Sequence, residues 1–297
     1  MKFPPFSYHR PTSVPEAVAL LAEHGADAKV LAGGQSLLPV MALRLGQPDH
    51  LVDIGRIESL CHIEVTASGL RIGAGVTHAE AEDSSTVATH APLLASALPW
   101  IGHRAIRNRG TVCGSIAHAD PAAELPAVAL AADATLVAVS VRGERRIPAS
   151  GFFEGFLTTV LAADELLVAV EFPAMSPGTH SKVYELARRH GDYAMVGLAA
   201  SLRIDGMGVV EAAALSYFAV GSTPVRVRVA EDALVGQPIT AAAIASTAST
   251  VRTELDPPSD NHASANYRRH IAGVITERVL TSITSSENAH TGYGAIA

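Results

Sequence analysis

Two adjacent glycines, Gly33 and Gly34, lie between a predicted strand and a predicted helix. The strand signal is the apolar run AKVLA before them, and the helix signal is LLPVMALRL, which follows two polar residues. Glycine adopts positive φ without strain and leaves the neighbouring N–H groups uncovered by a β-carbon, so an anion can approach them closely. The pattern therefore fits a phosphate-binding loop. It also fits a tight turn, which is the more common role of an isolated glycine pair.

Helix and strand signals on either side of the glycines predict an α/β lobe at the N-terminus. Ser13 and Glu16 have the spacing of a capping box, and the apolar face of VPEAVALLAEH ends at Gly25. HLVDI predicts a second strand. Alternating helices and short buried strands are typical of an α/β layer.

The middle of the chain predicts a hairpin in CHIEVTASGLRIGAGV, and then helical spacing in ATHAPLLASALPWI. The stretch RAIRNRGTVCGSIAHADP is predicted to be rich in loops and to precede a helix at 122–132. Two further strands are predicted, ATLVAVSV and ELLVAVEF.

Prolines and a glycine between residues 173 and 178 predict a domain boundary near residue 178. The chain beyond it reads as a three-stranded meander with a turn at Asp205, followed by three helices. This second domain is therefore predicted to be α+β. The residues from 285 to 297 have little to pack and are predicted to form a tail.

Composition excludes several classes of protein. The 297 residues carry a formal net charge of −7 and no basic stripe, which argues against binding nucleic acid. No apolar run has the length of a membrane span, and the first residues lack the pattern of a signal peptide. We therefore expect a cytoplasmic protein, with membrane association only through other components.

Cysteine and histidine usage predicts no metal centre in this chain. Cys61 and Cys113 are too few for a disulfide framework or for the four thiolates that an iron–sulfur cluster usually needs. The thirteen histidines are spread out, without an HExxH motif and without cysteine–histidine spacing typical of zinc.

A second polar loop, NRGTVCGSIAHADPAAELP, repeats the chemistry of the first about eighty residues later. Hydroxyl side chains stand beside glycines, and Asp120 and Glu124 follow. Two donor-rich loops can hold the two phosphates of a dinucleotide, while a carboxylate accepts hydrogen bonds from sugar-like hydroxyls. The combination favours a flavin dinucleotide. Each hydroxyl and carboxylate, taken singly, is equally compatible with a turn or a helix cap.

Two other nucleotide-binding signatures are absent or incomplete in the sequence. None of the three lysines follows a glycine, so the P-loop motif is absent. Gly73 and Gly75 follow a strand as in a nicotinamide-binding loop, but the third glycine position holds His78, and 84–119 contains no acidic residue to meet a ribose. A nicotinamide-dependent dehydrogenase is therefore a weaker alternative, and a flavin-free scaffold subunit is another.

Six segments resemble the FAD-binding medium subunit of molybdenum hydroxylases, the group that includes aerobic carbon monoxide dehydrogenase and the quinoline and nicotine dehydrogenases of the xanthine dehydrogenase superfamily. The segments are FSYHRPTSVPEAVALLAEHG, LAGGQSLLPVMALRL, LVDI, IRNRGTVCGSIAHADPAAELP, DELLVAVEFP and RRHGDYAMVG. The resemblance implies an α+β chain. Residues 1–177 would form a two-lobed FAD-binding domain of vanillyl-alcohol-oxidase (PCMH) type, 178–284 a C-terminal domain of small antiparallel sheet plus helices, and 285–297 a tail.

The resemblance also implies cofactor contacts but no catalytic residue. Glu124 resembles the carboxylate beside the flavin ribityl chain, Leu167 an aliphatic residue against the isoalloxazine, and Tyr193 an aromatic residue beside the ring. Cys113 replaces a common glycine, and Glu185 replaces a lysine found in some relatives. The residues that resemble the two pyrophosphate loops are Ala32, Gly33, Gly34, Gln35, Ser36 and Leu37 in the first, and Thr111, Gly114 and Ser115 in the second.

The function implied by the resemblance is electron transfer by FAD. A small partner subunit would carry two [2Fe-2S] clusters, and a large partner would carry the molybdenum cofactor, with two such heterotrimers forming a heterohexamer. The large subunit would oxidise carbon monoxide or hydroxylate an N-heterocycle. The external acceptor, whether quinone, NAD or oxygen, is not specified by this chain.

Overall fold

The computed structural model describes residues 3–285 of the chain. Its N-terminal lobe is a three-stranded parallel sheet in the order β1-β3-β2, with two helices. Ser7 and Ala28 both pair with His50, so the three strands begin at the same edge of the sheet. The elements of this lobe are β1 (Ser7–His9), α1 (Val14–His24), β2 (Ala28–Leu31), α2 (Leu37–Ala42) and β3 (His50–Asp53).

Local signals account for both helices of this lobe. Ser13 Oγ accepts a hydrogen bond from Glu16 N at 3.3 Å, as predicted, whereas the Glu16 carboxylate turns back to Thr12 N at 2.8 Å. Helix α2 ends at Ala42, earlier than the apolar pattern predicted. Arg44 has φ of 59°, a left-handed conformation that stops the helix.

The second lobe is a five-stranded antiparallel sheet in the order β4-β5-β10-β6-β7, covered by short helices. The predicted hairpin and both further predicted strands are present. The first elements are β4 (Ile63–Thr66), β5 (Gly69–Gly73), α3 (His78–Glu82), α4 (Ser85–His90), α5 (Pro92–Ala97), α6 (Arg104–Arg107), α7 (Val112–His118) and α8 (Glu124–Ala131). The remaining elements are β6 (Thr135–Ser140), β7 (Gly143–Pro148), β8 (Phe153–Gly155), β9 (Thr158–Thr159) and β10 (Leu166–Pro173).

The structure differs from the sequence expectation in three places of this lobe. The loop-rich stretch contains helices α6 and α7, because Thr111 caps α7 and bends the chain into it. Helix α8 begins at Glu124 instead of 122, since Asp120 Oδ1 accepts from Ala122 N at 2.9 Å and holds a turn there. Strand β7 was not predicted, because its polar sequence lies at the sheet edge and is mostly exposed.

The C-terminal part is a four-stranded antiparallel sheet, β11-β12-β13-β14, with three helices. The predicted meander and the three predicted helices are therefore confirmed. Asp205 Oδ1 accepts from the N–H groups of Met207 and Val209, each at 2.8 Å, and so closes the predicted turn. The elements are β11 (Thr179–Leu186), β12 (Val196–Ile204), β13 (Val210–Phe218), β14 (Val225–Arg226), α9 (Arg228–Leu234), α10 (Ala241–Glu254) and α11 (Ala265–Thr284).

This sheet buries both of its faces. Leu198 and Tyr217 point toward α10 and α11 and form one hydrophobic core with them. Val183, Ala199 and Phe218 point the other way and belong to the core of the second lobe. The two parts of the chain therefore share a continuous apolar interface.

Specific hydrogen bonds fix the C-terminal sheet against the second lobe. Ala219 N donates to Pro121 O at 2.7 Å, and Val183 N donates to Ser96 Oγ at 3.0 Å. The first of these bonds ties β13 to the connection between α7 and α8. It brings the C-terminal sheet next to the second polar loop.

Between residues 3 and 285, no helix is long and apolar enough to cross a membrane. The predicted tail at 285–297 lies outside the described residues except for Ser285.

Candidate cofactor-binding site

The two polar loops predicted from the sequence touch each other. A β-carbon added at Gly33 would lie 2.0 Å from the carbonyl oxygen of Arg109 and 2.7 Å from Gly110 Cα. Both neighbours are backbone atoms, which cannot swing aside. Glycine is therefore required at position 33 by the contact between the loops.

Glycine is favoured at position 34 for a different reason. Its φ is +75°, a conformation that residues with a β-carbon rarely adopt. Gln35 folds back, and its side-chain amide donates to Gly33 O at 3.3 Å. The backbone N–H groups of Gly33, Gly34 and Gln35 donate to no other residue within 3–285. The turn thus presents three uncommitted donors immediately before α2.

Thr111 organises the second polar loop. Its Oγ1 accepts a hydrogen bond from Gly114 N at 3.0 Å, which caps α7 and leaves the hydroxyl proton free to donate. A β-carbon at Gly114 would lie 2.6 Å from this oxygen and 3.6 Å from Ala32 Cβ. The first turn of α7 therefore lies directly beside the start of the glycine loop, with Ser115 half-buried next to it.

Tyr193 extends over the same region from the connection between β11 and β12. The residue is 66% exposed, yet its hydroxyl end lies near Asp120, Glu124 and Ser36. Desolvation of the hydroxyl end, together with these two carboxylates, raises the pKa of Tyr193 above its usual value. An exposed aromatic ring anchored at its polar end can cover a flat ligand.

Two buried carboxylates lie below this surface. Burial, and to a lesser degree Asp120, raises the pKa of Glu124 to about 7. Burial, with Glu124 as the charged neighbour, raises the pKa of Glu185 to about 9. Glu185 Oε2 has no hydrogen-bond partner within 3–285. Like charges at close range cannot both ionise cheaply, so at neutral pH the pair retains at least one proton.

The sequence did not predict that Glu185 would face Glu124. A signal was present in KVYEL, because Val183 and Glu185 occupy alternate positions of β11 and both are buried. An acidic residue on the apolar face of an alternating strand requires a partner or a proton. The Ala219–Pro121 hydrogen bond brings this face of the sheet over the start of α8.

Two other candidate residues lie deeper in the fold. Leu167 is 5% exposed and belongs to β10, so its contact with a flavin ring stays a prediction. Cys113 is buried in α7, and its Sγ lies 3.6 Å from Ile72 O. Burial raises the pKa of this thiol to about 12, so it remains protonated. Its helical position explains why a non-glycine residue is tolerated there.

The alternative glycine pair forms no comparable loop. Gly73 N donates to His62 O, and Gly75 N donates to Leu60 O, both at 2.9 Å. A β-carbon at Gly73 would lie 2.2 Å from Leu60 O. These glycines permit close packing, and their N–H groups are already used. The nicotinamide-binding alternative therefore has no free donors at this turn.

The sequence model of the FAD-binding domain in molybdopterin dehydrogenases matches residues 4–175. The chain belongs to this family. A second model, the CO dehydrogenase flavoprotein C-terminal domain, matches residues 182–283. Both matches confirm the predicted family and the two-part α+β fold, with an FAD-binding domain in this chain.

Relatives in this FAD-binding family align along almost the whole chain. The 6-hydroxypseudooxynicotine dehydrogenase complex subunit alpha of Paenarthrobacter nicotinovorans is 40% identical, over 94% of this chain and 95% of its own. The carbon monoxide dehydrogenase medium chain of Hydrogenophaga pseudoflava is 38% identical, over 94% of this chain and 97% of its own. The chain is thus an oxidoreductase subunit, as predicted.

Solved structures confirm the fold of this family member. Carbon monoxide dehydrogenase from Hydrogenophaga pseudoflava superposes with a TM-score of 0.92 at 40% identity, covering 95% of this chain and 98% of that one. Quinoline 2-oxidoreductase from Pseudomonas putida 86 superposes with a TM-score of 0.90 at 41% identity, with the same coverage of both chains.

Proposed function

We propose that this chain is the FAD-carrying electron-transfer subunit of a molybdenum hydroxylase, and that FAD binds where its two polar loops meet. The observation that carries this proposal is the contact at Gly33, which brings uncommitted N–H donors beside the cap of α7. Such a cradle, free of β-carbons, fits a pyrophosphate. The sequence model that matches 4–175 supports FAD as the nucleotide.

Each loop has a separate binding role in this proposal. The residues from 32 to 37 would bind one phosphate through backbone N–H groups and the side chains of Gln35 and Ser36. Thr111 and Ser115 would donate hydrogen bonds from their hydroxyl groups to the second phosphate, and Gly114 would allow this phosphate to approach the backbone closely. Their donors are fixed by the turn and by the cap, so little conformational entropy is lost on binding.

The rest of the cofactor would extend toward Glu124, Tyr193 and Leu167. Glu124 is held at the first turn of α8 and would hydrogen-bond a ribityl hydroxyl, as donor or acceptor according to its protonation. Tyr193 would cover the ring and exclude water from it. When bound, FAD would supply the redox chemistry, because it accepts electrons singly and releases them in pairs.

Two partner subunits complete the proposal, a small one with [2Fe-2S] clusters and a large one with the molybdenum cofactor. The relatives are named as a medium chain and a complex subunit, which supports a multi-subunit enzyme. The holoenzyme would oxidise carbon monoxide or hydroxylate an N-heterocycle. The substrates of the named relatives are the first compounds to test. A dimer of heterotrimers, a cytoplasmic location and domain bounds of 1–177 and 178–284 stay predictions.

The function can be tested by following reduction of the flavin absorption band. The chain is loaded with FAD and assembled with the small and large subunits from the same source, and substrate is added without oxygen. We expect bleaching only when all three subunits are present. Bleaching of the chain alone by substrate would contradict an electron-transfer role. Full substrate turnover by a complex whose medium chain cannot bind FAD would support the scaffold alternative instead.

A further inference from the structure

Three histidines from separate elements meet at one edge of the N-terminal lobe. His9 ends β1, His24 ends α1, and His50 begins β3. One ring nitrogen of each lies within 4.8 Å of the ring nitrogens of the other two. His9 Nε2 and His50 Nδ1 are 2.9 Å apart, and the ring of His24 stacks on that of His50 with centroids 3.7 Å apart.

This histidine cluster lies away from the proposed FAD site. Ala28 pairs with His50, so His50 lies at the end of the sheet where β2 begins. His9 pairs with Val52, two residues further along, but on the side of β3 that faces away from β2. The glycine loop follows Leu31, at the other end of β2. A strand of this length separates the two ends by about 10 Å. A ligand at the cluster would therefore leave the polar loops uncovered.

The ring nitrogens of the cluster are close enough together to share one metal ion. Imidazole is a good ligand for zinc, copper and nickel, and all three rings are half-buried, so a hydrated ion can reach them. Tetrahedral zinc with ligand bonds of 2.0–2.1 Å places its nitrogens about 3.3 Å apart. The rings of His24 and His50 are nearly parallel in this structure, with an interplanar angle of 10°, so at least one of them must rotate before both lone pairs can converge on one ion.

We propose that His9, His24 and His50 bind one divalent transition-metal ion, with Zn²⁺ as the reference ion and water as the fourth ligand. The proton between His9 and His50 would move to the other nitrogen of its ring, so that all three lone pairs face the metal. The ion would join β1, α1 and β3, which only the fold brings together. Sequence reasoning predicted no metal site because these histidines are fifteen and twenty-six residues apart.

The test uses the full chain without a histidine tag, first treated with a chelator. Calorimetric titration with Zn²⁺ is expected to show one ion per chain, and Co²⁺ is expected to give the visible absorption of a tetrahedral site. Saturating Zn²⁺ should raise the unfolding temperature, because it binds only the folded state. Absence of stoichiometric binding by the wild-type chain would overturn the proposal without needing any variant.

His24→Gln and His50→Ala locate the site. Each is expected to weaken Zn²⁺ binding at least tenfold and to abolish the Co²⁺ spectrum. His62→Ala is the matched control, since His62 is an exposed histidine of the same predicted domain outside the cluster. Unchanged affinity in His24→Gln would contradict the assignment. Retention of FAD by the same variants, measured in parallel, shows that they fold and separates this result from the FAD proposal.

Discussion

Gly33 packs against Arg109 so closely that a β-carbon on the glycine would lie 2.0 Å from the arginine carbonyl oxygen. The contact joins two turns that are more than seventy residues apart in the chain. It positions the uncommitted N–H groups of the glycine loop beside the first turn of α7. The proposed pyrophosphate cradle is therefore a product of tertiary packing, built from two ordinary turns.

Gly34→Ala is expected to lower FAD affinity by tenfold or more. Alanine at φ of +75° costs about 1 kcal/mol, and its β-carbon would lie 2.9 Å from Leu38 Cδ1, so the loop must shift. Gly236→Ala is the control, because Gly236 has a similar φ of +78° but open space around it. The measurement is FAD binding together with thermal unfolding. Equal FAD affinity in both variants would show that the loop does not contact the cofactor.

Thr111→Val is expected to reduce both stability and FAD binding. Valine keeps the shape but removes the oxygen that accepts from Gly114 N, at a cost of about 1 kcal/mol. Thr240→Val removes an equivalent cap at the start of α10, where Thr240 Oγ1 accepts from Ala243 N at 3.1 Å. Urea unfolding should show similar losses in the two variants, while only Thr111→Val loses FAD affinity. Loss of FAD by both variants would indicate a general folding defect.

Tyr193→Ala is expected to keep FAD bound but to change its redox behaviour. The ring is mostly exposed and would cover the flavin, so its removal admits water to that face. Tyr193→Phe retains the ring and should resemble the wild type. The measurements are the flavin midpoint potential and the rate of reoxidation by oxygen. Values in Tyr193→Ala that match those of Tyr193→Phe would place the tyrosine away from the ring.

Glu185→Gln is expected to stabilise the chain at alkaline pH. The folded-state pKa of about 9 is far above the usual value of 4.5, so between these pH values the folded state holds a proton that the unfolded state has released. The free energy of unfolding of the wild type therefore falls as pH rises, by at most about 1.4 kcal/mol per pH unit. Glutamine cannot ionise and removes this decline.

Urea unfolding at pH 5 and pH 8 checks this prediction. The advantage of Glu185→Gln over the wild type should be small at pH 5 and larger at pH 8. Glu254→Gln, at an exposed position in α10, should follow the wild type at both values. An advantage that does not grow with pH would show that Glu185 is already ionised in the folded protein.

Local sequence signals predicted much of the fold, because caps, alternation and turn residues act over a few positions. The helix after Ser13 and the meander around Asp205 illustrate this. Strand β7 was not predicted, because an exposed edge strand needs no alternation of apolar residues. Its Arg145 instead forms an ion pair with Glu165, with 2.7 Å between nitrogen and oxygen. Helix α7 was not predicted, because it has only seven residues and one of them is glycine, which has a low helix propensity.

The contacts between residues of the site were harder to predict than the positions of its two loops. The glycine pair and Thr111 marked the two polar loops, but nothing local indicated that Gly33 would touch Arg109. The same holds for Glu124 and Glu185, which only the docking of the C-terminal sheet brings together. Long-range contacts of this kind depend on the packing of whole elements.

The most direct test of the central claim is a titration of the purified chain with FAD, followed by desalting and an absorption spectrum, for the wild type and for Gly33→Ala. Gly151→Ala serves as the control, since a β-carbon there meets nothing within 4 Å. We predict one FAD retained per chain in the wild type and in Gly151→Ala, no retention of NAD by either, and loss of FAD in Gly33→Ala. A wild-type chain that retains no FAD, or a Gly33→Ala variant that retains it fully, would contradict the account.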